Sequence, residues 1–428
     1  MREPYAVRSG TVGALRQVTI ELPHLHAVSV TMFARVGSRW ETARDNGLSH
    51  FLEHMLFRGT ESLPGAFPLH RELEGLGATL YAETGRDYSL YQITLPPDSL
   101  AEGLLLFGEI FRSPAFTEIE VERRIVLEEM REDVDDRGRL TNLDDLGRAA
   151  VWPDHPLGFR ITGPVENVRR FNLRDVRRHF ARFYGARNMI LAVAGPVEHR
   201  KITRLTKRAF ADLHDGTEQP LRAPREAQTE PQFVHVAEDS SQTQLQMLFR
   251  ALPELDPDYP SLLMLMRVLD DGMSTRLHSR LCDELGLAYH VSAGLEPFVD
   301  TGLIEIDGAA KPNSAPALVR ESLALCAALA ADGPRAEELA KAKRRYQWDL
   351  QRSFDDADAM AGWWGGSRLF YPPLGFAAKL SRVAAVTKES VQRAAARVFR
   401  PERLTVVGVG PAGRKAQLAS AARGFGVS

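Results

Sequence analysis

The chain of 428 residues is poor in cysteine, with only Cys282 and Cys326. Two cysteines cannot supply the disulfide framework of a small secreted domain, so a reducing compartment fits this chain. The sequence also lacks any run close to the roughly 20 apolar residues of a membrane span. Its N-terminus has no apolar core of the length that a signal peptide needs. We therefore expect a soluble, cytoplasmic protein without a membrane partner.

An excess of one charge is also missing, since the formal net charge is −2. No basic surplus points to nucleic acid, and no block of like charges indicates a tail. Hydrophobic residues make up 44% of the chain and charged residues 26%, which is ordinary for a globular protein. The length favours two or more domains.

An internal repeat runs through the chain with an offset of about half its length. The segment ARNMILAVAGPV, from Ala186 to Val197, resembles PERLTVVGVGPA, from Pro401 to Ala412. Each reads as a buried strand that ends in Gly-Pro and follows a basic amphipathic helix. The segments 118–136 and 339–356 also share apolar residues at helical spacing, and both end in Asp-Asp. This pattern indicates a duplication.

The repeat predicts two homologous halves, residues 1–213 and 232–428, joined by a polar, proline-bearing linker over 214–231. Strands and helices are mixed in each half, which favours the α+β class. Two such halves facing each other as a clamshell would enclose a cleft. The clearest expected elements are strands at 17–21, 27–36 and 244–249 and apolar helices at 47–57 and 261–269.

The segment GLSHFLEHMLFRGT carries His50, Glu53 and His54 inside an otherwise apolar helix. Residues four apart lie one above the other on a helix, so His50 and His54 can bind one metal ion. Glu53 lies near the same face, where a carboxylate can take a proton from water at the metal. The alternative is a buried helix whose histidines bond to the backbone, although burying three such groups without partners is costly.

A third ligand is expected on the helix VERRIVLEEMRED, because catalytic zinc sites use three protein ligands. Glu122 and Glu129 are seven residues apart and return to nearly the same face after two turns, whereas Glu128 points elsewhere. A solvated acidic face is the alternative. Spacing alone does not choose among these glutamates.

Together, HFLEHMLFRGT and VERRIVLEEMRED resemble the pitrilysin family of zinc peptidases, the inverzincins, over nearly the whole chain. The likeness is greatest to its short bacterial members, which are related to the mitochondrial processing peptidase. The resemblance implies that His50, His54 and Glu129 bind zinc, with 74 residues between His54 and Glu129. It implies that Glu53 is the catalytic base and that Glu122 supports the site.

The hairpin-like segment GATLYAETGRDYSLYQITL is predicted to form two strands joined by a turn near 84–86. In the family the first of these strands is an edge that pairs with extended substrate. The family's Asn-Ala at this edge corresponds here to Tyr81-Ala82, so the small residue is retained and the amide is not. An ordinary hairpin is the alternative.

The second half carries no histidine pair, and Asp349 stands where Glu129 falls in the first half, so one zinc ion per chain is expected. The stretch RLCDELGLAYH resembles the family segment with an arginine and a tyrosine that help hold the substrate. Tyr289 matches the tyrosine, but Cys282 replaces the arginine, and Arg280 lies two residues out of register. A core tyrosine at a strand start is the other interpretation of Tyr289.

The resemblance thus implies a zinc endopeptidase that cleaves peptides or unfolded segments, acting as a homodimer or with a related subunit. The missing arginine at Cys282 favours a partner that supplies it. A non-catalytic structural subunit of the same fold is the alternative, and a processing enzyme for one precursor would differ only in substrate range. The intact zinc-site residues argue against a non-catalytic subunit.

Overall fold

The computed structural model describes residues 3–426, in which two mixed β-sheets and the helices around them form the fold. The strands are β1 (Ala6–Val12), β2 (Leu15–Glu21), β3 (Val28–Ala34), β4 (Thr79–Thr84), β5 (Ser89–Leu95), β6 (Met189–Gly195), β7 (Gln232–Ala237), β8 (Thr243–Ala251), β9 (Ala288–Pro297), β10 (Gly302–Ala310) and β11 (Leu404–Gly410).

The α-helices of the described residues flank these sheets. They are α1 (Leu48–Leu56), α2 (Ala66–Gly75), α3 (Leu100–Arg112), α4 (Ile119–Glu129), α5 (Leu143–Val151), α6 (Val165–Arg170), α7 (Leu173–Phe183), α8 (His199–Ala209), α9 (Tyr259–Leu269), α10 (Ala315–Asp332), α11 (Ala336–Arg352), α12 (Ala357–Ala361), α13 (Phe376–Ala384), α14 (Lys388–Val398) and α15 (Lys415–Arg423). None of them is long and apolar enough to cross a membrane.

The two sheets repeat one topology. The first has the order β1-β2-β6-β3-β5-β4, and the second has the order β7-β11-β8-β10-β9. In both, one parallel pair (β2 with β6, β7 with β11) is followed by three antiparallel pairings. The first sheet differs only by the additional strand β1. The expected α+β class and two-half duplication are confirmed.

The strands and helices that the internal repeat predicts are present in the structure. The Gly-Pro segments form β6 and β11, each preceded by the expected basic helix, α7 or α14. The two similar segments that end in Asp-Asp form α4 and α11, and each Asp-Asp pair lies beyond the end of its helix. Residues 214–231 contain no helix or strand.

The contacts within the chain divide it into two compact packing units. Each unit consists mainly of one sequence half and also includes a segment from the other half. The first unit contains the chain up to Met130, Phe159–Leu221 and Asp349–Phe376. The second contains Arg131–Gly158, Arg222–Trp348 and the chain from Ala377 onward. The predicted boundary between two sequence halves at 214–231 concerns the duplication, and it stays a prediction. The packing units do not test it, because a packing unit need not be a continuous stretch of chain.

Helix α5 joins the second unit through a close approach and a buried ion-pair cluster. A Cβ atom on Gly147 would lie 2.4 Å from Leu248 Cδ1 and 2.5 Å from Gln246 Oε1, so a larger residue here would displace these two side chains of β8. The neighbouring Arg148 donates to Glu296 at 2.7 Å and to Glu305 at 2.5 Å, both on the same sheet. Burial, opposed only in part by Arg148, raises the pKa of Glu305 to about 7.

The segment Asp349–Phe376 joins the first unit by covering one face of its sheet. Arg16 donates to the carbonyl of Arg368 at 2.8 Å, and Arg35 donates to the carbonyl of Leu369. These carbonyls belong to the last turn of a short 3₁₀ helix, where cationic donors satisfy acceptors that have no helical partner. Within this segment, α12 packs against β3 and β6.

The opposite face of the first sheet packs on the main core of this unit. Helix α1 contributes Phe51, Leu52, Met55 and Leu56, all 0% exposed. Each fully buried side chain of this size contributes about 1.5–3 kcal/mol by leaving water. The apolar residues of the H-x-x-E-H helix therefore fix it in the core and leave its ionisable side chains at the border.

Candidate metal centre

The N-terminus of α1 is held by a buried carboxylate, Glu41. Its Oε2 accepts from the backbone N–H of Gly47 at 2.9 Å, and its Oε1 accepts from the backbone N–H of Ser49 at 2.7 Å. Both N–H groups lie at the helix N-terminus, where donors have no helical acceptor and the helix dipole favours negative charge. Burial raises the pKa of Glu41, although bonds from Asn46, Ser49 and Gly47 act to lower it. The helix thus begins at a fixed place.

Two imidazoles of α1 converge on one carboxylate of α4. His50 Nε2 lies 3.4 Å from Glu129 Oε1, and His54 Nε2 lies 3.5 Å from Glu129 Oε2. One ligand atom from each of the three residues lies within 4.8 Å of the others. Two imidazole nitrogens and one carboxylate oxygen are a donor set that fits catalytic zinc, which leaves a fourth position for water or substrate.

A second glutamate of α4, Glu122, orients one of these histidines. His54 Nδ1 lies 3.0 Å from Glu122 Oε2, so its N–H donates to that carboxylate and Nε2 is left as the ligand atom. Glu122 also accepts from Nε of Arg58, whose Nη1 donates to Glu118 at 3.1 Å. His50 differs, because its buried Nδ1 has no hydrogen-bond partner within residues 3–426.

The electrostatics of the cluster keep both glutamates anionic. Burial alone lowers the pKa of His54, but Glu122 and Glu129 outweigh it and raise that pKa to about 9. Hydrogen bonds from His50 and then His54 hold the pKa of Glu129 well below its usual range. Burial acts to raise the pKa of Glu122, but His54 and Arg58 together lower it. In the metal-free state His54 therefore carries a proton, which a metal ion has to displace.

Glu53 lies outside this ligand group and contacts the edge of the sheet instead. The hydroxyl of Thr84, at the end of β4, donates to Glu53 Oε2. Oε1 has no hydrogen-bond partner in the described part of the chain. A carboxylate with one oxygen anchored and the other open can exchange a proton with a neighbouring group.

Strand β4 is the edge of the first sheet, beyond β5. Along it, Leu80 and Thr84 are buried and Ala82 is partly buried against the main core. Tyr81, on the other face, is 52% exposed, and its hydroxyl donates to Glu83 at 3.2 Å. The expected hairpin is thus confirmed, and its first strand presents unpaired backbone groups at a sheet edge.

Tyr289 and Arg280 lie in the second unit. Tyr289 is 97% exposed in β9, so the interpretation of this residue as a core tyrosine is wrong. Arg280 donates to Glu321 of α10 and to Glu284, both at 3.0 Å, which holds its guanidinium between α10 and its own π-helical segment, His278–Glu284. Cys282 is partly buried against the core of this unit, and burial raises the pKa of its thiol. A raised thiol pKa disfavours a nucleophilic role.

The sequence reasoning missed three residues that hold the site, namely Glu41, Arg58 and Thr84. A signal existed for Arg58, which lies four residues after His54 and, just beyond the end of α1, continues the line of the His54 face. Thr84 and Glu41 gave no such signal, because their contacts depend on how the strand and the preceding loop pack against the helix.

Two family matches cover successive parts of the chain. Residues 16–165 match the family described as "Insulinase (Peptidase family M16)". Residues 170–346 match the one described as "Peptidase M16 inactive domain". The His-His-Glu group lies within the first match.

Individual relatives cover most of the chain. An "Uncharacterized zinc protease" of Rickettsia bellii is 30% identical over 72% of this chain and 73% of its own length. One of Streptomyces coelicolor is 28% identical over 94% of this chain and 89% of its own length. The crystal structure of a protease from Helicobacter pylori superposes with a TM-score of 0.88, at 23% identity, over 96% of this chain and 100% of that one. This structural likeness bears on the fold.

Proposed function

The chain belongs to peptidase family M16, and on this premise we propose that it is a zinc-dependent endopeptidase acting on peptides or unfolded segments. The observation that carries the proposal is the convergence of His50, His54 and Glu129 within 4.8 Å, with Glu122 fixing the tautomer of His54. A subunit without catalysis has no need of an oriented ligand set beside a poised carboxylate.

His50, His54 and Glu129 would hold the metal, and Glu53 would carry the proton. A zinc ion bound there supplies Lewis acidity, which polarises a carbonyl and acidifies water. Glu53 accepts a proton from water as the oxygen forms its bond to the scissile carbonyl carbon. The same carboxyl then gives that proton to the amide nitrogen as the carbon–nitrogen bond breaks. Thr84 holds one oxygen of Glu53 and thereby aims the other.

The test is to measure zinc content and cleavage of a mixed peptide library on one sample of the purified chain. We expect about one zinc ion per chain, loss of cleavage on removal of the metal by a chelator, and recovery when zinc is added back. A chain that holds no zinc and cleaves no peptide would favour a non-catalytic subunit.

The substrate backbone is proposed to pair with the free edge of β4. Thr84 links this strand to Glu53, so a peptide bound along it would run close to the proposed base. In such strand addition, backbone hydrogen bonds provide the affinity.

Proline has no N–H and removes one of these bonds, so a proline scan from Leu80 to Glu83 tests the pairing. We expect at least one variant that stays folded and zinc-loaded but binds peptide poorly, measured in the Glu53→Gln background to prevent turnover. The control is the same scan through residues 8–11 of β1, the opposite edge of the sheet. Edge pairing is wrong if every β4 variant either unfolds or binds peptide normally.

A further inference from the structure

A cavity of about 470 Å³ lies beside β4, on the sheet face away from the main core. Its walls come from neighbouring positions of two paired strands. Thr79 pairs with Thr94, and Tyr81 pairs with Gln92, so their four side chains share one face. Gly77 and Asp358 complete the lining. No basic residue is among the lining residues, and Asp358 is the charged one.

Asp358 is held in place by the sheet. Its Oδ1 accepts from Thr94 Oγ1 at 2.7 Å and from Gln92 Nε2 at 3.0 Å. Gln92 is itself fixed by Ser29 at 3.0 Å. The second oxygen of Asp358 has no hydrogen-bond partner in the described chain. The carboxylate therefore has a set orientation and an unused acceptor at the border of a cavity.

Two further features favour a cation in this cavity. Tyr81 is 52% exposed, so its ring face is available to a cationic side chain. Glu83 is the next residue of β4 on the same face, and it accepts from the Tyr81 hydroxyl. Burial, and after it the carboxylates of Glu83 and Glu53, raise the pKa of Tyr81, so two anionic groups lie near this side chain.

From this cluster we infer that the cavity is a subsite for a lysine or arginine side chain of the peptide substrate, with Asp358 as its specificity-determining residue. The inference rests on the proposed function, because it requires a peptide along β4. Side chains directly opposite each other on paired strands project to the same face. A substrate residue opposite Thr79 or Tyr81 thus faces the cavity, and its two neighbours face the other side. Reaching Asp358 across β4 requires a long side chain, and lysine and arginine combine that length with charge.

The experiment compares peptides that are identical except for Lys, Arg, norleucine or Glu at each position in turn. The wild-type chain should prefer Lys and Arg over norleucine, as kcat/KM, at one position or at positions two residues apart. In Asp358→Asn the ratio of the basic to the norleucine peptide should fall roughly 10- to 100-fold, the effect of losing a hydrogen bond to a charged group. Asparagine keeps the Oδ1 acceptor for Thr94 and Gln92, so zinc content and thermal unfolding should match the wild type.

The matched control is Asp355→Asn, which removes the same charge three residues away. The Asp355 side chain is 80% exposed, and His24 Nε2 lies 3.8 Å from its Oδ1. This variant should keep the wild-type ratio. A wild-type chain that cleaves without a basic preference, or an Asp358→Asn variant with the full preference, overturns the inference and leaves the proposed function standing.

A chain that cleaves nothing defeats the proposed function instead, and peptide binding then decides on the subsite. Fluorescence anisotropy with the Lys and norleucine peptides should show tighter binding of the Lys peptide, lost in Asp358→Asn. Equal binding of the two peptides, or a preference that survives in Asp358→Asn, refutes the subsite.

Discussion

Replacing Glu53 by glutamine is expected to lower kcat roughly 10²- to 10⁴-fold, the usual contribution of a positioned acid–base group, while zinc stays bound. The amide preserves the shape of the side chain and still accepts from Thr84. It cannot take a proton from water at neutral pH. Since the proposed metal ligands are three other residues, the metal content should stay near that of the wild type. Steady-state kinetics and metal analysis on the same preparations check both parts.

Thr84→Val is the informative companion to Glu53→Gln, because it removes the hydroxyl that anchors Glu53 and keeps the carboxylate. We expect a smaller loss of kcat than in Glu53→Gln, again with zinc retained. Loss of zinc from Glu53→Gln would contradict the separation of base from ligands. Wild-type turnover in Glu53→Gln would show that the proton passes through another group.

The second large effect concerns the two glutamates of α4. Glu129→Gln should lose stoichiometric zinc, because a neutral amide replaces the anionic carboxylate on which both histidines converge. Glu122→Gln should keep three ligands and weaken zinc binding roughly 10- to 100-fold, as is typical when a group that orients a histidine ligand is replaced. Competition with a chromogenic chelator measures both affinities.

Glu128→Gln is the matched control, since it removes an exposed carboxylate from the neighbouring position of the same helix. Its zinc affinity should equal that of the wild type. Full zinc retention in Glu129→Gln together with zinc loss in Glu122→Gln would exchange the roles assigned to these two residues.

Much of the fold was readable from the sequence because its signals are local. Alternation and helical spacing located β2, β3, α1 and α9, and the two Gly-Pro segments located β6 and β11. The exchange of 131–158 and 349–376 between the packing units was not readable. It depends on contacts such as Gly147 with Leu248 and Arg16 with the carbonyl of Arg368, whose partners are about 100 and 350 residues away along the chain.

The site shows the same limit. The four-residue spacing of His50 and His54 predicts a pair on one helix face from the sequence alone. Spacing could not choose between Glu122 and Glu129, because that choice depends on where α4 lies beside α1. In the structure, Glu129 faces Nε2 of both histidines, whereas Glu122 reaches only Nδ1 of His54. Asp358 gave no sequence signal, since its partners lie on a hairpin more than 260 residues earlier.

The carboxylate of Glu41 at the start of α1 has a consequence for how the site gains its metal. The helix is pinned at its first turn by Glu41 and near its last turn by Arg58, which bonds Glu122 of α4. The ligands are therefore preorganised by the apolar core and these two anchors before any ion arrives. In small zinc domains that fold only around their metal, much of the binding free energy is consumed in ordering the chain. Here that ordering belongs to the folding of the unit, so an emptied site keeps its shape and can be refilled.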